Sequence, residues 1–219
     1  MDGQAFINQI IDYYQESRKL TVETQGFNIW RGVSHSISSL SEDLFAQMIA
    51  QELNDKSLEF IVDKTFTLRK KDNTSVQFRP DLAIVKNNEI RVIVDLKMDM
   101  GYKRRYNKTE AFQKEAEKFE LLRSAKYKDI TYSQNKSSIS LTASRSITNR
   151  IVVVSEKNEG KAENRESMVE EIRKLNWVDI YYLSGGVHPN AYDASTLSQL
   201  VVNQDAFDCL CADIKEAVA

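Results

Sequence analysis

The chain is poor in sulfur and imidazole. Its 219 residues include two cysteines and two histidines. Cys209 and Cys211 lie two positions apart in a stretch with helical spacing, where they cannot sensibly pair, so no disulfide framework is expected. With only His35 and His188 besides, a structural zinc site lacks ligands. No apolar run approaches the length of a membrane span. The start Met1-Asp2-Gly3-Gln4 is polar and acidic, unlike a secretory leader, so an intracellular, cytoplasmic protein without a membrane role is expected. There is also no internal repeat and no low-complexity linker. At 25.2 kDa and 42% hydrophobic content the chain reads as one domain, 1–219. Within it we expect an N-terminal helix and loop at 1–38, a core at 40–184 and a C-terminal loop and helix at 187–219.

A net charge of -2 excludes a uniformly basic nucleic-acid binder. The distribution is uneven, however. Between residues 97 and 128 ten lysines and arginines stand against five acids, most densely at Lys103-Arg104-Arg105. A solvated helix face accounts for part of this excess. The rest would suit a phosphate backbone.

The stretch around which the chain is organised is 76–102. Two β-branched runs, Leu82–Val85 and Ile90–Val94, flank Lys86-Asn87-Asn88-Glu89, so a β-hairpin is expected. Pro80 cannot donate to a ladder, which sets Asp81 where the first strand bends. The second strand ends Val94-Asp95-Leu96-Lys97, and its period of two points Asp95 and Lys97 to one face with Leu96 on the other. Two carboxylates and a lysine then converge among apolar neighbours. Close carboxylates raise each other's pKa, and a divalent cation between them removes the conflict. Hard oxygen donors favour magnesium, with manganese as a substitute. Such an ion can also activate water and neutralise charge on a phosphate. Acid-x-lysine occurs again at Glu159-Gly160-Lys161 and Asp213-Ile214-Lys215, but only Asp95-Leu96-Lys97 ends a β-branched run one hairpin after a Pro-Asp. A surface hairpin with ordinary solvated charges is the competing reading.

Pro80-Asp81 followed by Asp95-Leu96-Lys97 resembles the signature of the restriction-endonuclease-like, PD-(D/E)xK nuclease superfamily. The resemblance implies a metal held by Asp81, Asp95 and the Leu96 backbone carbonyl, with Lys97 beside it. It also implies an acid on the helix before the hairpin, a position that Glu42 matches; Ser39 and Glu42 equally fit a capping box. Exonuclease-like branches carry Gln-x-x-x-Tyr on the following helix, whereas Gln113 is followed by Glu117. The expected function is a magnesium-dependent DNA endonuclease, with a type II restriction enzyme acting as a homodimer fitting the size best. Lys103, Arg104 and Arg105 would contact phosphates. A junction-resolving, phage or repair nuclease would use the same residues, and a DNA-binding or assembly protein that keeps the fold without catalysis is the alternative from another class.

The remaining elements follow from periodicity. Phe6, Ile7, Ile10, Ile11 and Tyr14 mark a helix over 3–18, and residues 19–38 read as a loop. Leu44, Phe45, Met48 and Ile49 mark a second helix, and 58–69 a strand leading into the hairpin as a three-strand meander. Asp99 is a further acid on the Asp95 face if the strand continues. A helix opening at Asn107-Lys108-Thr109-Glu110 and running through Phe119 and Leu122 comes next, then a long Ser/Thr-rich connection at 127–149 with a hint of strand at 139–142. Ile151–Val154 and Val178–Leu183 are buried parallel strands joined by a helix, and Phe207, Leu210, Cys211, Ile214 and Val218 define the last helix. The sum is an α/β fold: a mixed sheet of about five strands flanked by helices on both faces, the element order of a restriction-endonuclease-like core.

Overall fold

Asparagine turns and β-branched runs set the frame of the sheet. The computed structural model describes residues 1–100, 119–124, 127–158 and 177–219, with Glu166, Val169, Glu170, Ile172, Lys174 and Leu175 between the last two segments. The central hairpin pairs β4 (Leu82–Lys86) with β5 (Glu89–Lys97), antiparallel from Leu82↔Val94 to Lys86↔Glu89. Asn87 and Asn88 turn it with φ of 53° and 60°, the left-handed pair that a two-residue hairpin loop requires.

Strands β1 (Leu58–Val62), β2 (Phe66–Lys70), β3 (Ser75–Phe78), β6 (Tyr127–Gln134), β7 (Ser137–Val153) and β8 (Val178–Tyr182) complete one mixed sheet of eight strands, in the order β1-β4-β5-β7-β6-β2-β3 with β8 on β7. β1 runs antiparallel to β4, while β5 with β7 and β7 with β8 are parallel. Three expectations are corrected. The strand read over 58–69 breaks at Asp63, whose φ of 48° cannot continue a ladder, so β1 joins β4 while β2 leaves for β3 and β6. The meander is therefore replaced by two separate pairings. The stretch 127–149, read as a connection, is the β6/β7 hairpin, and the sheet has eight strands rather than about five. Serine and threonine on its exposed positions hide the period of two there.

Helices cover both faces. On one face lie α1 (Gly3–Ser17), α2 (Ser38–Leu53) and the last helix, which follows a one-turn α3 (Ala194–Leu197) and is here α4 (Gln204–Val218). Asp2 caps α1 by accepting the Ala5 N–H at 2.7 Å, and Phe6, Ile7 and Ile10 are fully buried against Leu82, Ile84, Val92 and Val94. Gly3 lets α1 meet α4 closely, because a Cβ there would stand 2.5 Å from the Phe207 ring. The opposite face buries Ala83, Val85, Ile93, Ile151 and Ile180 beneath Phe119, Leu122 and Ile172 from the two described helical pieces. Among the described residues no helix is long and apolar enough to cross a membrane.

One buried charge fastens α4. The Arg150 guanidinium, 7% exposed, donates to Asp213 Oδ1 at 2.8 Å and to the Asn149 carbonyl at 3.1 Å, and the Tyr181 hydroxyl donates to Asp213 Oδ2 at 2.6 Å. Asp213→Ala would leave that guanidinium buried without its acid. We expect it to lower unfolding free energy by about 3 kcal/mol in urea titrations, against well under 1 kcal/mol if the pair behaved as a surface ion pair.

Candidate metal and phosphodiesterase site

The site grows from where the β4–β5 ladder stops. Its last pair is Leu82↔Val94. One further step along that register faces Asp81 with Asp95, and Pro80, which has no N–H to give, with Leu96. The vacancy in the ladder is filled by a side chain: Asp81 Oδ2 accepts the Leu96 N–H at 2.6 Å. Asp81 also belongs to the bend, its carbonyl accepting the Asp63 N–H at 3.0 Å. The two aspartates are thus drawn together by backbone geometry and not by mutual attraction.

Lys97 supplies the charge between them. Its ammonium hydrogen-bonds Asp95 Oδ1 and stands 3.5 Å from Asp81 Oδ2. Leu96 points away into the helix-covered core, 7% exposed, as the alternation of β5 requires. One lysine does not neutralise two acids. Burial pushes the Asp81 carboxyl up to about 7, with Lys97 opposing and the charge of Asp95 adding to the rise.

Asp81, Leu96 and Lys97 line a cleft of about 380 Å³ with Ser38, Glu42 and Asp99. The capping box expected for Ser39 and Glu42 does not form. The helix begins at Ser38 after Ile37, with no side-chain cap, so Ser39 already lies in its first turn. Glu42 instead faces the cleft. Burial raises its pKa above the usual carboxylate range, Asp63 adds to this, and Lys97 and Arg79 work against it. Asp95 borders a second, smaller cleft on the other side, with Pro80, Ile93, Phe119 and Leu122 among its walls.

No family model matches the chain, and no curated protein matches it. The chemistry of the site therefore rests on its own donors. Among the described residues no three His, Cys, Asp or Glu side chains converge to hold a metal ion. What the cleft does offer is the carboxylates of Asp81, Glu42 and Asp99 and the Lys97 ammonium, with Asp95 facing Asp81 across the strand pair from the neighbouring cleft. Carboxylate oxygens are the hard donors that a magnesium-class ion takes, and among the described residues they are not gathered into a coordinating group.

Of the residues singled out in the sequence, Asp81, Asp95, Leu96, Lys97 and Glu42 gather here, and Lys103, Arg104 and Arg105 lie outside the described residues. Asp99, read as a further acid on the Asp95 face, is joined by two residues that were not legible as site residues, His188 and Asp63. Asp99, past the end of β5, joins the cleft and meets His188 Nε2 at 3.2 Å and Asn158 Nδ2 at 3.0 Å. His188 packs edge-on to Tyr14, whose hydroxyl is pushed up to about 12 by burial and by Asp99. Asp63 carries Arg79, paired through both its carboxylate and, at 3.3 Å, its carbonyl. The only signal for Asp63 was a charge directly after the apolar Phe60-Ile61-Val62.

The raised Asp81 pKa has a signed consequence for stability. Folded Asp81 keeps its proton up to about 7, whereas the unfolded carboxyl releases it near the usual value. Between about pH 4 and 7 the folded state binds more protons, so stability falls as pH rises, by at most about 1.4 kcal/mol per pH unit. In EDTA, wild type should lose stability relative to Asp81→Asn steadily as pH rises across that window. Parallel curves would mean that Asp81 ionises as an ordinary surface acid.

Proposed function

We propose that the protein is a magnesium-dependent DNA endonuclease of the restriction-endonuclease-like class. The observation that carries this reading is the facing of Asp81 and Asp95 at the end of the β4–β5 ladder, with Lys97 against both. Supporting it, with β2, β3 and β6 as strands beyond that core, the succession α2, β1, β4–β5, helical residues 119–123, the parallel end of β7, helical residues 166, 169, 170 and 172, and β8 has the element order expected for it. Type II restriction of intact duplex and cleavage of junctions or damaged DNA would use the same residues; they differ in the DNA that the surroundings of the cleft admit.

In this reading Asp81, Asp95 and the Leu96 carbonyl would hold the ion, with Glu42 at the wall. The bound ion supplies Lewis-acid chemistry, neutralising charge on the scissile phosphate and acidifying water. Lys97, held by the two aspartates, orients the attacking water and steadies charge on the phosphate. Added positive charge favours the ionised form of Asp81, so metal binding and its deprotonation would be linked. The homodimer expected for cutting two strands belongs to the same proposal.

The test incubates wild type, Asp95→Ala and Lys97→Ala with supercoiled plasmid, genomic DNA and branched DNA, in magnesium and in EDTA. Wild type should cleave in magnesium alone. Lys97→Ala should lose about 10²–10⁴-fold in rate, and Asp95→Ala should lose cleavage while retaining DNA binding in calcium. A second readout needs no activity. Magnesium at about a hundred times its Kd should stabilise wild type by about 2.7 kcal/mol and leave Asp95→Ala unmoved. Cleavage by Asp95→Ala at the wild-type rate, or no cleavage of any DNA by wild type, would sink the proposal.

A further inference from the structure

Large exposed apolar side chains are concentrated in one place. Val22, Phe27, Ile29, Trp30 and Val33 all lie in the loop between α1 and α2, with Phe27 71% and Trp30 88% exposed. Every residue from 25 to 33 is exposed. The loop is a projecting finger: Gln25 and Gly26, with φ of 50° and 85°, turn it, and the Phe27 N–H closes that turn on the Thr24 carbonyl at 2.9 Å. A loop carrying this many exposed apolar side chains marks a binding surface.

Two observations say what it binds. The first is position. The finger runs directly into α2, whose Ser38 and Glu42 line the cleft with Asp81 and Lys97. Its base is tied to the 187–192 loop, where Arg18 donates to Asn190 Oδ1 at 2.6 Å and stacks over the exposed Tyr192 ring at 4.0 Å. That same loop carries His188, the partner of Asp99 in the cleft. The second is charge. Of the cations in this stretch, Lys19 is taken up by Glu16 and Arg18 by Asn190 and Tyr192, which leaves Arg31 as the cation of the finger itself. Arg31 sits beside Trp30 and pairs with no acid among the described residues.

We propose that this finger is the base-contacting wall of the cleft, with Trp30 stacking on an unpaired nucleobase and Arg31 on the adjacent phosphate. The inference rests on the endonuclease reading and narrows its substrate class. A stacking platform needs an accessible base face, and in an intact duplex both faces are covered by neighbouring base pairs. A gapped, flapped or branched DNA offers that face beside a scissile phosphate. The finger therefore favours the junction-resolving or repair form over restriction of intact duplex.

Trp30 is its own reporter, since the other tryptophan, Trp177, is 9% exposed and stacked on Phe119. The experiment uses the full chain in calcium with one mixed-sequence oligonucleotide presented single-stranded, as a gapped duplex and as an intact duplex. Tryptophan fluorescence of wild type should be quenched by the first two. Trp30→Ala should weaken binding to both by about tenfold or more, with intact-duplex affinity much less affected, and Trp30→Phe should retain most of the affinity. Equal loss on all three DNAs, or loss on none, overturns the proposal. So does a wild-type dimer that becomes monomeric in Trp30→Ala with DNA binding unchanged, which would make the finger an interface between copies. Plasmid cleavage in magnesium is read in parallel. Cleavage with no effect of Trp30→Ala on binding would remove the finger's role and leave the endonuclease standing; absence of both binding and cleavage would remove both.

Discussion

The pairing of β4 with β5 is the constraint on which the rest depends. Leu82, Ile84, Val85, Ile90, Val92, Ile93 and Val94 are all buried, and their alternation fills the cores on both faces of the sheet. At about 1.5–3 kcal/mol each, these seven side chains contribute on the order of 10–20 kcal/mol as an upper estimate. Crowding two carboxylates at the ladder's end costs several kcal/mol at most. The apolar register wins, and a slip of one residue would turn every one of these side chains to the wrong face. The acids are held together because the hydrophobic core pays no attention to them.

The charges around that point form a graded set. Lys97 bridges Asp81 and Asp95, Arg79 answers Asp63, and His188 answers Asp99, while Glu42 faces the cleft with its carboxyl raised by burial. The pairings reach outward into the fold. Through His188 and Tyr14 the cleft touches α1, and through Arg18 and Asn190 the base of the α1–α2 loop is tied to the C-terminal loop. Segments far apart in the chain thus share one end of the sheet, the end at which the acids stand. On the face shared with α1 and α2, Arg150 and Asp213 hold α4 in place without lining the cleft.

Several features were open to reading before any coordinates. The helix periods of α1, α2 and α4, the Asn87-Asn88 turn and the opposite faces of Leu96 and Lys97 all follow from local chemistry, because each depends on residues within one turn or one strand. The parallel pairing of β7 with β8 was legible in the wholly apolar Ile151–Val154 and in the strand, helix, strand order, whereas β5 as the other parallel neighbour of β7 was not. The capping box at Ser39 was misread because the capping pattern is short and the helix had room to start one residue earlier. The β6/β7 hairpin was missed because serine and threonine alternate with few apolar residues on a strand with one exposed face.

Sequence alone determined that Asp81, Asp95 and Lys97 would lie at one end of a hairpin, since the period of the strand and the proline that ends it are local properties. Tertiary structure decided the rest. Where the strand from 58 would break, that Glu42 would line the cleft rather than cap its helix and that His188 would reach Asp99 are all outcomes of long-range packing. No local pattern encodes them, because each joins residues whose separation along the chain is bridged only when the two cores close.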